Sequence, residues 1–128
     1  MRYKETDQMG IAHHANYLVW FEIGRTDLCR EAGVPYIRIE ELGFFLVVTG
    51  IAVRYRIPFG YDEEVVLRTS ITETASRAMT FGYELYDVHG ELHATGHSSH
   101  MWVEKTSRKP VRAPADLLDA FVRWRDSE

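Results

Sequence analysis

Cysteine is almost absent. The 128 residues hold Cys29 alone, which excludes an internal disulfide and makes a reducing cytoplasm the expected setting. Long apolar runs are missing too: nothing approaches the ~20 residues that a membrane-spanning helix needs, so no membrane insertion is expected. The start, "MRYKETD", carries no apolar segment of the secretory kind. Charge of one sign does not accumulate either. Fifteen Lys and Arg stand against 19 Asp and Glu, interleaved to a net −4, which argues against nucleic acid as a partner while leaving local basic clusters able to hold a small anion. No internal repeat, low-complexity tract or linker-like stretch divides the chain. What is present, 45% hydrophobic residues with 12% aromatics in 14.9 kDa, suits one globular domain, 1–128, with one substantial core.

The segment "NYLVWFEIGRTDLCREA", 16–32, places Tyr17, Leu18, Trp20, Phe21, Gly24 and Leu28 at helical spacing and meets Gly33, with Pro35 beyond. Val19 and Ile23 widen its apolar surface past half the circumference, so it is expected to be buried on several sides. Four strand-like runs follow: "FLVVTGIAVRYRI", "EVVLRTSITET", "AMTFGYELYD" and "ELHATGHSSHMWVEK", the last two joined by the hairpin signal "DVHG". "ADLLDAFVRWR" closes the chain as a short helix introduced by Pro114, and "RYKET" reads as a short first strand. Strands in succession with short turns predict an antiparallel meander, and a helix apolar nearly all round must be wrapped by it. The expected class is α+β: a curved antiparallel sheet around a long central helix. Open sheet edges on so small a chain predict at least a homodimer.

Chemistry concentrates in "ETDQMGIAHHANYLVWFE", 5–22, just before the long helix. The first turn of a helix has unpaired N–H groups and a partial positive charge, which suit an anion or a carbonyl oxygen that is becoming one. One such donor is worth about 3 kcal/mol in acyl-transfer enzymes. Asp7 could serve as base for a water or as a carboxylate nucleophile, with Gly10 turning the backbone between the two. The residues alone leave a simpler alternative open: Asp, Asn16 and His are frequent helix caps, and His14 could merely bond a backbone carbonyl.

The same stretch, "RYKETDQMGIAHHANYLVWFEIGRTD", resembles the opening motif of the hotdog-fold acyl-CoA thioesterases of the 4-hydroxybenzoyl-CoA thioesterase type, where a D-x-MG loop runs into H-x-NY and an aromatic-Phe-Glu helix. The likeness continues, more loosely, through "YRIPFGYDEEVVLRTSI" and "ATGHSSHMWVEKTSRKPVRAP". The resemblance implies a hotdog fold and hydrolysis of an acyl-CoA thioester with no metal and no organic cofactor. It places Asp7 on the catalytic carboxylate and the backbone N–H near His14 on the group that polarises the carbonyl. His13, Asn16 and Tyr17 fall beside them on the substrate side. It further implies an active site between the helix start of one subunit and strands of another, hence a functional homodimer, with a homotetramer as the alternative.

Arg54 and Arg56, about 7 Å apart along one strand, could share a diphosphate, although a solvated strand face explains them equally. Arg77 at a turn, and Lys105 and Arg108 in "EKTSRK", are similar candidates for the phosphates of coenzyme A. "GHSSH" lacks the second glycine of a serine-hydrolase elbow and sits within a strand. His93 and His97 are about 13 Å apart on an extended chain, and His97 and His100 face opposite ways, so no metal site is expected. Ala94, Gly96 and Ser98 form a small-residue stripe suited to close helix packing. Cys29 reads as a core residue, and Glu22 with Arg25 as an intrahelical ion pair. The expected function is acyl-CoA thioester hydrolysis. Its rivals are a non-catalytic acyl-CoA sensing domain and a hotdog dehydratase or hydratase, and thiol release from acyl-CoA separates the first from hydrolysis.

Overall fold

A computed structural model of the protein describes residues 15–60 and 63–127; Asp7, Gly10, His13, His14 and the expected "RYKET" strand lie outside the described residues. Helix α1 spans Ala15–Glu31, a six-residue α2 spans Tyr36–Glu41, and strands β1 (Phe44–Tyr55), β2 (Val66–Thr74), β3 (Ala78–Tyr86) and β4 (Leu92–Glu104) precede α3 (Ala115–Ser127). The apolar spacing anticipates α1 and α3 closely. It misses α2, which at under two turns is too short to show a helical period. α1 ends where "AGVP" lets Val34 N–H reach back to the carbonyl of Cys29 at 2.8 Å.

The sheet is antiparallel throughout, in the order β1-β4-β3-β2. This corrects the expected simple meander. β2, β3 and β4 do follow one another through short turns, but β1 pairs with β4 and not with β2. The reason is the connection 56–65, whose ten residues reach over 30 Å when extended (about 3.3 Å each), whereas the three strand spacings it must cross total only about 14 Å.

α1 lies over β2, β3 and β4, and two glycines let it settle there. A Cβ on Gly96 of β4 would stand 2.5 Å from the Phe21 ring and 2.8 Å from the Ala52 carbonyl, and one on Gly24 of α1 would stand 2.2 Å from Thr69 Oγ1. Phe21 stacks flat on Tyr83 of β3, with centroids 4.2 Å apart and 7° between the planes. The small-residue stripe of β4 thus serves helix packing. Leu28, Cys29, Phe81, Leu85 and Trp102 complete the core, and α3 closes its far end with Leu117 and Phe121.

One side of α1 stays open. Leu18, Val19 and Ile23 are exposed, as are Val48, Ile51 and Tyr55 on the helix-facing side of β1. The single chain therefore does not bury α1 all round, because the helix sits above the other three strands and leaves β1 uncovered. A bulge between Val48 and Gly50 keeps Val48 and Ile51 on the same face despite their odd spacing.

Gly96→Ala forces a methyl into the Phe21 ring and a backbone carbonyl. Urea unfolding should show a loss of about 1–3 kcal/mol. An unchanged midpoint would mean that α1 can shift away from β4 without cost.

Candidate active site

The start of α1 stands against an aromatic wall. Tyr17 is buried, its ring edge-on to Tyr55 at 4.9 Å and to Trp20 at 5.1 Å. Trp20 meets Phe59 at 5.9 Å, and Phe59 stacks on His93 at 4.1 Å. Burial above all raises the Tyr17 phenol, so it stays protonated and neutral. Asn16, half-buried, is the other expected site residue within the described helix. β1 ends at Tyr55, so the helix start and the end of β1 lie together.

The remaining expected residues divide between two places. Arg54 sits opposite Thr95, in a row with Glu84 and Arg68 on the sheet face turned away from α1. Arg56 lies past the end of β1, in a bend, so the two arginines do not share one face of a strand. Arg77, in the β2–β3 turn, offers its carbonyl to Trp102 N–H near the end of β4. Lys105 and Arg108 follow β4 and cover the ring of Phe45, at 6.0 and 5.6 Å from its centroid. Phe45 is the second residue of β1, and Tyr55 is its last. Ten residue steps of about 3.3 Å put the Lys105–Arg108 cluster some 33 Å from the helix start within one chain.

His93 finds its partners away from His97. Its Nε2 lies 3.0 Å from Asp87 Oδ2, and Asp87 Oδ1 also accepts the N–H groups of His89 and Glu91. The bond to His93 contributes most to holding the Asp87 carboxyl below its usual range. Glu63 approaches both and accepts Gly60 N–H at 2.6 Å. These three groups tie the hairpin and the 56–65 connection beneath Phe59, and each carboxylate is already engaged by hydrogen bonds.

A second polar chain runs through the core, and the sequence does not reveal it. Arg25 is only 7% exposed. It makes no ion pair with Glu22, which corrects the expected intrahelical pair: the guanidinium turns inward, donating from Nη1 to Tyr83 Oη at 3.1 Å and from Nε to Tyr36 Oη at 3.3 Å. Tyr83 Oη lies 2.5 Å from Ser98 Oγ, which lies 2.7 Å from His100 Nε2. Burial opposes the Arg25 charge, yet its bonds to Tyr83 and Tyr36 tip the balance and raise its pKa. Burial, then the Arg25 charge, pushes His100 down to about 4, so the imidazole is neutral. Tyr83 Oη accepts from Arg25, the Tyr83–Ser98 and Ser98–His100 bonds can each run in either direction, and His100 Nδ1 has no hydrogen-bond partner among the described residues. Burial lifts the Cys29 thiol to about 12, so it is inert.

A family description drawn from sequence fits this arrangement. The thioesterase-like superfamily model matches residues 1–121. The chain belongs to the thioesterase-like superfamily. It is 43% identical over 124 residues to YneP of Bacillus subtilis (strain 168), covering 97% of this chain and 87% of that one. It is 29% identical to the acyl-CoA thioesterase YbgC of Haemophilus influenzae, covering 93% and 88%. Among solved structures, the DHNA-CoA thioesterase of Staphylococcus aureus superposes with a TM-score of 0.88 at 31% identity, covering 96% and 85%. The fold is the hotdog fold of these superfamily relatives, and among the described residues no helix is long and apolar enough to cross a membrane.

Because His100 is held neutral, the unfolded chain takes up a proton near pH 6.5 that the folded chain refuses until about 4. Its contribution is full above 6.5 and is lost as pH falls from 6.5 to 4, by up to about 3 kcal/mol. Urea unfolding across that window should show a steeper loss for the wild type than for His100→Gln. Parallel curves would remove His100 as the source.

Proposed function

We propose that this superfamily member hydrolyses acyl-CoA thioesters to a free carboxylic acid and coenzyme A, acting in the cytoplasm as one hotdog domain, 1–128, within a homodimer. The observation that carries the reading is the match to thioesterases along nearly the whole chain, together with a helix that begins at Ala15, after the D-x-MG loop and within the H-x-NY motif.

In this reading the thioester carbonyl accepts a backbone N–H from the region of His14 at the start of α1. That donor and the helix dipole stabilise the oxyanion of the tetrahedral intermediate. Asp7 takes a proton from water as the water oxygen bonds to the carbonyl carbon. The C–S bond then breaks, and the proton goes to the departing thiolate. As a nucleophile, Asp7 would instead form a mixed anhydride that water opens; both routes need the same carboxylate. Gly10 shapes the loop between the two groups, and His13, Asn16 and Tyr17 border the acyl group.

The dimer follows from the exposed apolar side of α1 and the long β1 edge. Antiparallel pairing of two β1 edges about their middle sets the start of one β1 beside the end of the other. Phe45, Lys105 and Arg108 of one subunit then approach Tyr17 and Tyr55 of the next, joining basic residues and helix start that the single chain keeps apart. Lys105 and Arg108 would hold the phosphates of coenzyme A, with Arg54, Arg56 and Arg77 as further contacts.

Thiol release from an acyl-CoA panel tests the chemistry: Asp7→Asn should lower kcat by about a hundredfold or more at unchanged oligomeric state. Equal turnover would remove Asp7 from the mechanism, and intact binding with no turnover by the wild type would favour the sensing role. Lys105→Ala combined with Arg108→Ala should raise KM about tenfold for the coenzyme A ester and leave the truncated pantetheine thioester unaffected. Equal effects on both esters would place the phosphates elsewhere.

A further inference from the structure

Between α1, α2, β1 and β4 lies a cavity of about 200 Å³, into which Arg25, Tyr36 and His100 bring polar groups. Ile39, Phe45, Leu46 and Val48 make its apolar walls. Two features of this cavity are unbalanced. Arg25 is a buried cation, and among the described residues no carboxylate stands within ion-pair distance of it; the two donors it uses leave three N–H groups of its five unspent. His100 has a buried Nδ1 that no group among the described residues engages. A buried charge without a counter-ion and an unengaged buried ring nitrogen are both costly, and in native proteins such groups usually meet a bound partner. Glu22 and Glu40 stand at the mouth but are exposed to solvent and make no ion pair with Arg25. The volume exceeds the ~150 Å³ that accommodates a benzene ring.

We infer that this cavity binds a carboxylate carried on an apolar body of about ring size, the carboxylate pairing with Arg25 and the body lying against Ile39, Leu46 and Val48. The carboxylate can come from two sources: the far end of an acyl group, or the acid released by hydrolysis. The first rests on the proposed thioesterase function. From Ala15 to Arg25 is ten residues, about 15 Å along α1, a span for the acyl part of a medium-chain or ring-bearing thioester.

The test titrates the full-length, isotope-labelled protein with benzoate, and with benzyl alcohol as a neutral probe of similar shape, following the Arg25 Nε–H resonance. Benzoate should shift it saturably and bind at least about tenfold tighter than the alcohol. Glu40→Gln, at an exposed position that does not endanger folding, should tighten benzoate and leave the alcohol unchanged; Arg25→Lys should weaken benzoate. Equal binding of the two probes, or binding of neither, overturns the inference. A second arm compares medium-chain acyl-CoAs ending in methyl or in carboxylate. A tenfold kcat/KM preference for the carboxylate end, reduced in Arg25→Lys, makes the acyl group the source, whereas benzoate binding with no such preference makes it the released acid. If neither ester is hydrolysed, the thioesterase reading fails while the benzoate titration still decides the cavity.

Discussion

Phe21 lies flat on Tyr83 and against the bare backbone of Gly96, and the rest of the molecule is arranged around that contact. It sets how near α1 comes to β4. Four residues toward the start, Tyr17 is brought edge-on to Tyr55, so the helix N-terminus meets the end of β1. Four residues toward the end, Arg25 is brought to the Tyr83 hydroxyl. A side chain at position 96 would lift the helix and separate both pairs at once.

Much of this was legible in the sequence because it depends on periodicity. The helical spacing from Tyr17 to Leu28 and the four strand-like runs correspond to α1 and β1–β4 within a residue or two at most ends. Partner choice was not legible. That β1 pairs with β4 depends on the ten-residue connection crossing the sheet, and alternation within a strand carries no information about its neighbour. Arg25 illustrates the same gap. Its spacing from Glu22 suggested a surface pair, but two tyrosines distant in sequence outcompete that contact. His93 and His100 are likewise defined by Asp87 and Ser98, partners that no strand count exposes. For the site, Asn16 and Tyr17 lie in the first turn of α1, while Arg54 and Arg56 diverge because β1 stops between them.

The proposed dimer would give the separated basic residues a common purpose. Taken singly, Lys105 and Arg108 over Phe45 are a surface cluster at the wrong end of the sheet. Taken with a twofold pairing of β1, the same distance along the strand becomes the device that hands them to the neighbouring helix start. The uncovered apolar residues of α1 and β1 and the division of the site then have a single cause.

The most direct measurement is a crystal structure with a non-hydrolysable thioether analogue of an acyl-CoA. The account predicts two chains joined along β1, the carbonyl oxygen within hydrogen-bond distance of a backbone N–H at the start of α1, and the diphosphate against Lys105 and Arg108 of the neighbouring chain. An analogue lying on the outer sheet face beside Arg54 and His97, with its carbonyl away from the helix start, would contradict it.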